Sequence, residues 1–122
     1  MTKEIKYDLE ERLIDFAVII SDIIEGLPET RLGNYLAGQL VRSGCSPALN
    51  YGEAQGAESR NDFIHKMKII LKELRESLIS LKIIEIKKLY DLEKVLEAKS
   101  ECHQLVAIFV KSIETAKKNN TK

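Results

Sequence analysis

Arg60, Asn61 and His65 stand as Arg-x-x-x-x-His in a stretch of helical periodicity. Such a pair can act on a phosphate: the guanidinium stabilises developing phosphoryl charge, and the imidazole carries a proton near neutral pH. The spacing is short and arises easily by chance, and a surface or interface histidine is its usual outcome. Cys102 beside His103 offers a thiol and an imidazole. Adjacent helix positions point about 100 degrees apart, however, and no second ligand pair accompanies them. A core cysteine next to an exposed histidine is therefore expected. Glu73 and Glu76 share a helix face as metal-holding carboxylates do, but the Glu-x-x-His partner such a centre requires is missing. No strand is evident, so no glycine-rich phosphate loop follows one. These residues predict no catalytic group, no metal and no cofactor.

The stretch from Gln39 to Ser59 differs in composition from the rest of the chain, with Gly, Ala, Ser, Asn and one Pro crowded into a pattern that is still helical. Set on a helix, Gln39, Ser43, Ser46, Asn50, Glu53 and Ala57 form one strip, polar where leucines would ordinarily sit. One reading is the wet side of a surface helix. The other is a satisfied polar network at a subunit interface, in which Arg42 pairs with an acid such as Glu53 of a neighbouring copy and Asn50 fixes register. A second strip of small residues, Gly33, Ala37, Gly44, Ala48, Gly52 and Gly56, would admit a close helix neighbour. Each glycine costs about 0.8 to 1.0 kcal/mol relative to alanine inside a helix, which packing must offset.

Four helical patterns position these residues. The first runs from about Lys3 to Ile24 with Leu9, Leu13, Phe16, Ile20 and Ile23 as its stripe. Gly26, Leu27 and Pro28 stop it, since a residue before proline disfavours the α conformation and Gly26 is a ready C-terminal stop. Thr30 caps the second, which continues to about Ala57 and is either kinked at Pro47 or divided there, with Ser46 capping a new helix. Ser59 followed by Asp62 opens the third, with Phe63, Met67, Ile70, Leu74, Leu78 and Leu81 on one face. Lys87 to Tyr90 connects to the fourth, capped by Asp91, with Leu92, Val95, Cys102, Val106, Phe109 and Ile113 in its apolar row. A tail from Lys117 to Lys122 is expected to fray. Short connections predict an all-α, antiparallel up-down four-helix bundle.

With 122 residues the chain is one domain, able to build a core without disulfides or metal. Its two cysteines suit a reduced cytoplasm, no export leader opens it, and its longest apolar run is too short to span a membrane. The formal net charge is zero, unlike the basic footprint of a dedicated nucleic-acid binder. The balance is uneven: residues 1–30 carry a net −5 and residues 60–90 a net +4, as solvated faces that attract one another or a second subunit. The segments Phe16 to Ile20, Leu78 to Ile86 and Leu105 to Val110 hold more apolar surface than one core stripe uses. A homo-oligomer that buries the excess is expected.

The run from Gln39 to Leu74, followed by Glu76 and Ser77, resembles a family of four-helix bundles typified by proteins encoded in intervening sequences of bacterial large-subunit ribosomal RNA genes. Phe16, Ala17, Leu27, Pro28, Gln39, Leu40, Arg42, Ser43, Ser46, Asn50, Glu53, Ala54, Asp62, Phe63, Lys66, Lys72, Glu73, Leu74, Glu76, Ser77 and Leu81 carry the likeness. It covers about residues 9 to 116 and implies an up-down bundle assembling as a ring-like homopentamer, with no settled activity. Some relatives are strongly basic accessory proteins of diversity-generating retroelements that bind nucleic acid and a reverse transcriptase, and this chain departs from them in its charge. It also has Leu78 and Ile79 where many members carry a bulky aromatic.

Three functions are consistent with this reading. The first is a non-enzymatic oligomeric scaffold or adaptor tied to RNA or a ribonucleoprotein. The second is a nucleic-acid-binding ring using Lys66, Lys68, Lys72, Arg75 and Lys82. The third is a ribonuclease, because Arg60 and His65 resemble the motif of HEPN ribonucleases, which are also helical bundles.

Overall fold

A computed structural model describes residues 8–120 of the chain. Four helices follow one another: α1 (Leu9–Gly26), α2 (Arg31–Gln55), α3 (Arg60–Lys87) and α4 (Leu92–Asn120). Contacts run α1 to α2, α2 to α3, α3 to α4 and α4 back to α1, so α1 and α3 occupy opposite corners of an up-down bundle. The start of the first helical pattern, Lys3 to Tyr7, lies outside the described residues. α4 is helical from Lys117 through Asn120, and the rest of the tail expected to fray, Thr121 and Lys122, lies outside the described residues.

Each helix begins where a short polar side chain can satisfy orphan backbone donors. Asp8 accepts from the amides of Glu10 and Glu11, and Thr30 Oγ1 accepts from Gly33 at 3.0 Å. Ser59 Oγ accepts from Asp62 at 3.0 Å, and Asp91 accepts from Lys94 at 3.2 Å. α1 ends because Leu27 is extended (φ −72°, ψ 146°), as its position before Pro28 demands. Gly26 ends α1 as expected, though not through a left-handed conformation, since no glycine has positive φ. It is needed for space instead: a Cβ there would lie 2.0 Å from the Tyr90 ring. Lys88 adopts the left-handed conformation that ends α3 (φ 54°, ψ 49°).

α2 continues through Pro47 without dividing, so the alternative of a new helix capped by Ser46 is not adopted. Proline has no amide to bond Ser43, but the neighbouring turns hold. The small-residue strip of α2 acts at one point where helices meet. A Cβ on Gly44 would come within 2.7 Å of Ile20 Cγ2, so glycine lets α1 approach there, whereas Gly52 faces open space.

The core is assembled from one stripe per helix. Leu13, Phe16, Ile20 and Ile23 come from α1, Leu36 and Leu40 from α2, Met67, Ile70, Leu74, Leu81 and Ile84 from α3. Val95, Ala98, Cys102, Leu105, Phe109 and Ile113 come from α4, and the Tyr51 ring meets Phe109 edge-on at 6.0 Å. Several assignments differ from the periodicity: Phe63 and Val106 are only partly buried, with Ile64 and Leu105 buried beside them. Ser77 lies in the core where Leu78 was expected, and Leu92 is exposed, its place in the row taken by residues from Val95 onward. α3 is turned this way because its buried face includes Ser77 and Glu73, which meet polar partners on α2.

Candidate functional site

Those partners form a polar seam between α2 and α3. Arg42 Nη1 donates to Glu73 Oε1 at 2.6 Å, while its Nη2 donates to Glu76 Oε1 at 2.9 Å and Gln39 Oε1 at 3.3 Å. Glu73 is almost enclosed, its side chain 9% exposed, whereas the Arg42 side chain is half in solvent. Deeper in the seam, Ser77 Oγ donates to Ser43 Oγ at 2.8 Å with both residues buried. Asn50 Nδ2 donates to the carbonyl and hydroxyl of Ser46 at 3.1 and 2.8 Å, and Lys66 pairs with Glu53 at 2.6 Å. Among the described residues every buried side-chain polar atom has a partner.

Charge and burial act on this seam in opposite directions. The Arg42 hydrogen bond holds the Glu76 carboxyl below its ordinary range, against a smaller opposing effect of burial. Glu76 and then Glu73 hold the Arg42 guanidinium above its ordinary value, and the Glu53 hydrogen bond does the same for Lys66. Arg42 thus lies between two carboxylates as their fixed counter-ion. That geometry locks helix register and presents no free nucleophile or proton carrier.

Of the expected strip residues, Arg42, Ser43 and Glu53 bond to α3 and Gln39 accepts from Arg42, whereas Ser46 and Asn50 bond each other within α2. Within the chain Arg42 bonds Glu73 and Glu76, and Glu53 bonds Lys66. Glu73 and Glu76 were read only as metal candidates, and their role as arginine partners was missed. A signal existed: reflecting α2 about the turn at Gly56 to Ser59 sets Arg42 opposite the helical turn containing Glu73 and Glu76, and Glu53 about one turn from Lys66.

The five basic residues of α3 expected to contact nucleic acid do not share one face. Lys68, Lys72, Arg75 and Lys82 share the exposed ridge, while Lys66 is half-buried against Glu53. Arg60 lines a cleft of about 360 Å3 with Tyr51, Phe63, Lys111, Ser112 and Thr115, of which His65 forms no part. A five-residue step turns the two side chains roughly 140 degrees apart. Cys102 is buried, donates to the Leu74 carbonyl at 3.2 Å and has its thiol pushed up to about 12 by burial, while His103 is exposed. Among the described residues no group of three His, Cys, Asp or Glu side chains could hold a metal ion. No helix there is long and apolar enough to cross a membrane.

An all-α up-down bundle whose central seam is closed by an arginine between two glutamates defines the class of this protein. The model of the 23S rRNA-intervening sequence protein family matches residues 6–111, and the chain belongs to that family. A crystal structure of a protein of unknown function from the S23 ribosomal protein family, from Bacteroides thetaiotaomicron, superposes with a TM-score of 0.80. That protein is 26% identical, and the match covers 87% of this chain and 98% of the other. Among curated proteins, none matches this sequence.

Proposed function

We propose that the protein is a non-enzymatic, self-associating scaffold that serves an RNA-containing assembly. The observation that carries self-association is an apolar groove of about 350 Å3 between α1 and α2, lined by Ile14, Ala17, Val18, Ser21, Cys45, Ala48 and Leu49. Leu49 is 70% exposed and Val18 54%, and side chains of this size seldom cluster in water without a partner. The names of the family and of the similar Bacteroides protein both refer to ribosomal RNA or the ribosome, which supports an RNA setting. The resemblance of the chain to ring-forming bundles makes a homopentamer the expected assembly.

Light scattering tests this reading: the native protein is expected to exceed monomer mass, and Leu49→Asp to lower it. A monomer at every concentration would remove the proposal. A second reading places RNA phosphates on Lys68, Lys72, Arg75 and Lys82 of α3. It predicts a salt-dependent gel shift that Lys72→Glu weakens, and the zero net charge of the chain argues against it. The ribonuclease reading gains no geometric support from Arg60 and His65, and RNA cleavage surviving His65→Ala would remove that site.

A further inference from the structure

Ion pairs in this bundle join neighbouring helices: Arg12 to Glu101, Arg42 to Glu73 and Glu76, Lys66 to Glu53, and Lys99 to Glu85. The remaining charges of α1 and α3 are sorted by sign. On the outer ridge of α1, Glu11, Asp15, Asp22 and Glu25 are exposed beside Ile14 and Val18. The one base of α1, Arg12, is turned to Glu101. On the outer ridge of α3, Lys68, Lys72, Arg75 and Lys82 are exposed beside Ile79 and Ile86. The carboxylates flanking that ridge, Glu76 and Glu85, are already held by Arg42 and Lys99.

Each ridge therefore presents charge of one sign with apolar residues between, and the two stand at opposite corners of the bundle. We infer that the acidic outer ridge of α1 docks on the basic outer ridge of α3 of a second copy. This rests on the self-association reading above and assigns its faces. The charged lengths match, Glu11 to Glu25 and Lys68 to Lys82 each extending roughly 21 Å at 1.5 Å per residue. α1 and α3 run in the same direction in an up-down bundle, so a rotation between copies about an axis along the bundle keeps them parallel. Aligned that way, Glu11, Asp15 and Glu25 fall beside Lys68, Lys72 and Lys82. Because the two faces differ, the contact is heterologous and repeats from copy to copy, closing into a ring where the rotation permits. An RNA would use only the basic ridge and leave the equal acidic one unexplained.

The test reverses each ridge in the full chain. One variant carries Asp15→Lys and Glu25→Lys, the other Lys72→Glu and Lys82→Glu, with circular dichroism checking that both remain helical. Light scattering is expected to show the wild type losing mass at about 1 M salt, where the screening length falls to about 3 Å. Each variant alone should fall to monomer, and an equimolar mixture of the two should rise again above monomer mass, because each then supplies the ridge the other lacks. Wild-type mass in both variants, with loss in Leu49→Asp, would overturn the inference and leave self-association standing. Monomer in each variant without recovery on mixing would also overturn it. So would capture of a mixed-sequence RNA by the basic ridge, with assembly unchanged in the Lys72→Glu, Lys82→Glu variant. A monomeric wild type would remove both readings.

Discussion

Between α2 and α3 the seam is closed: a buried serine pair lies beneath an arginine held by two glutamates. Between α1 and α4 an open groove of about 530 Å3 remains, lined by Asp15, Phe16, Ile19, Glu97, Ser100 and Gln104 and crossed by Arg12 on Glu101. The first pair of helices is joined by the short turn at Gly56 to Ser59, which sets them antiparallel and fixes which residues face each other. The second pair consists of the first and last helices, which meet because the bundle closes. Polar groups can be fully buried where a turn holds the register that satisfies them, as Ser43 and Ser77 are, while at the closing pair Arg12 and Glu101 keep 16% and 24% of their side chains exposed. Surface available to partners is correspondingly found around α1.

The largest test of this contrast removes core beneath the closed seam. Leu40→Ala, at a fully buried position, should cost about 2 to 5 kcal/mol, read as a fall in the urea midpoint. Ser77→Ala should cost about 1 kcal/mol by leaving Ser43 without its donor. The Ser43→Ala, Ser77→Ala double variant should cost less than the two single changes together, because no hydroxyl is then stranded. An additive result would show that the pair does not act as a unit. Ile19→Ala, in the open groove, should cost about 1 kcal/mol or less, since part of that side chain is already in water. A loss equal to that of Leu40→Ala would abolish the distinction between the seams.

The smallest effect concerns pH. Arg42 lowers the Glu76 pKa in the folded chain, so the unfolded chain binds that proton more tightly. The stabilisation is complete above the ordinary value of 4.5 and is lost as pH falls through the lowered folded value. Urea midpoints followed from about pH 6 to about pH 3 should therefore fall less in Glu76→Gln than in the wild type. Parallel curves would show that the pair contributes nothing measurable, the common result for half-exposed ion pairs.

Local chemistry placed most of the fold in reach of the sequence. Thr30, Ser59 and Asp91 were legible as caps because a serine, threonine or aspartate before an apolar period satisfies donors within its own turn. Leu27 before Pro28 was legible for a similarly local steric reason. The α1 stripe from Leu13 to Ile23 followed from its spacing alone. The polar strip of α2 was legible as a strip, and Arg42 was given an acid such as Glu53 of a neighbouring copy, but the partners within the chain were not assigned, because they lie about thirty residues away on α3. The exposed Leu49 and Ile86 were likewise outside the stripes that periodicity assigned, and Leu92 was placed in one wrongly, since periodicity reports one preferred face and not how far along the helix a neighbour covers it.

By itself, then, the sequence determined four helices, their starts and stops, the family and the uneven charge of its two halves, all of which depend on neighbours within a few turns. Tertiary structure decided that Arg42 is shared by Glu73 and Glu76, that Ser77 rather than Leu78 enters the core, and that Gly44 meets Ile20. It also separated the ion pairs satisfied between helices from the charges left on the α1 and α3 ridges. Those outcomes depend on rotation and register between helices distant in the chain, and the net energy of packing all four together selects them.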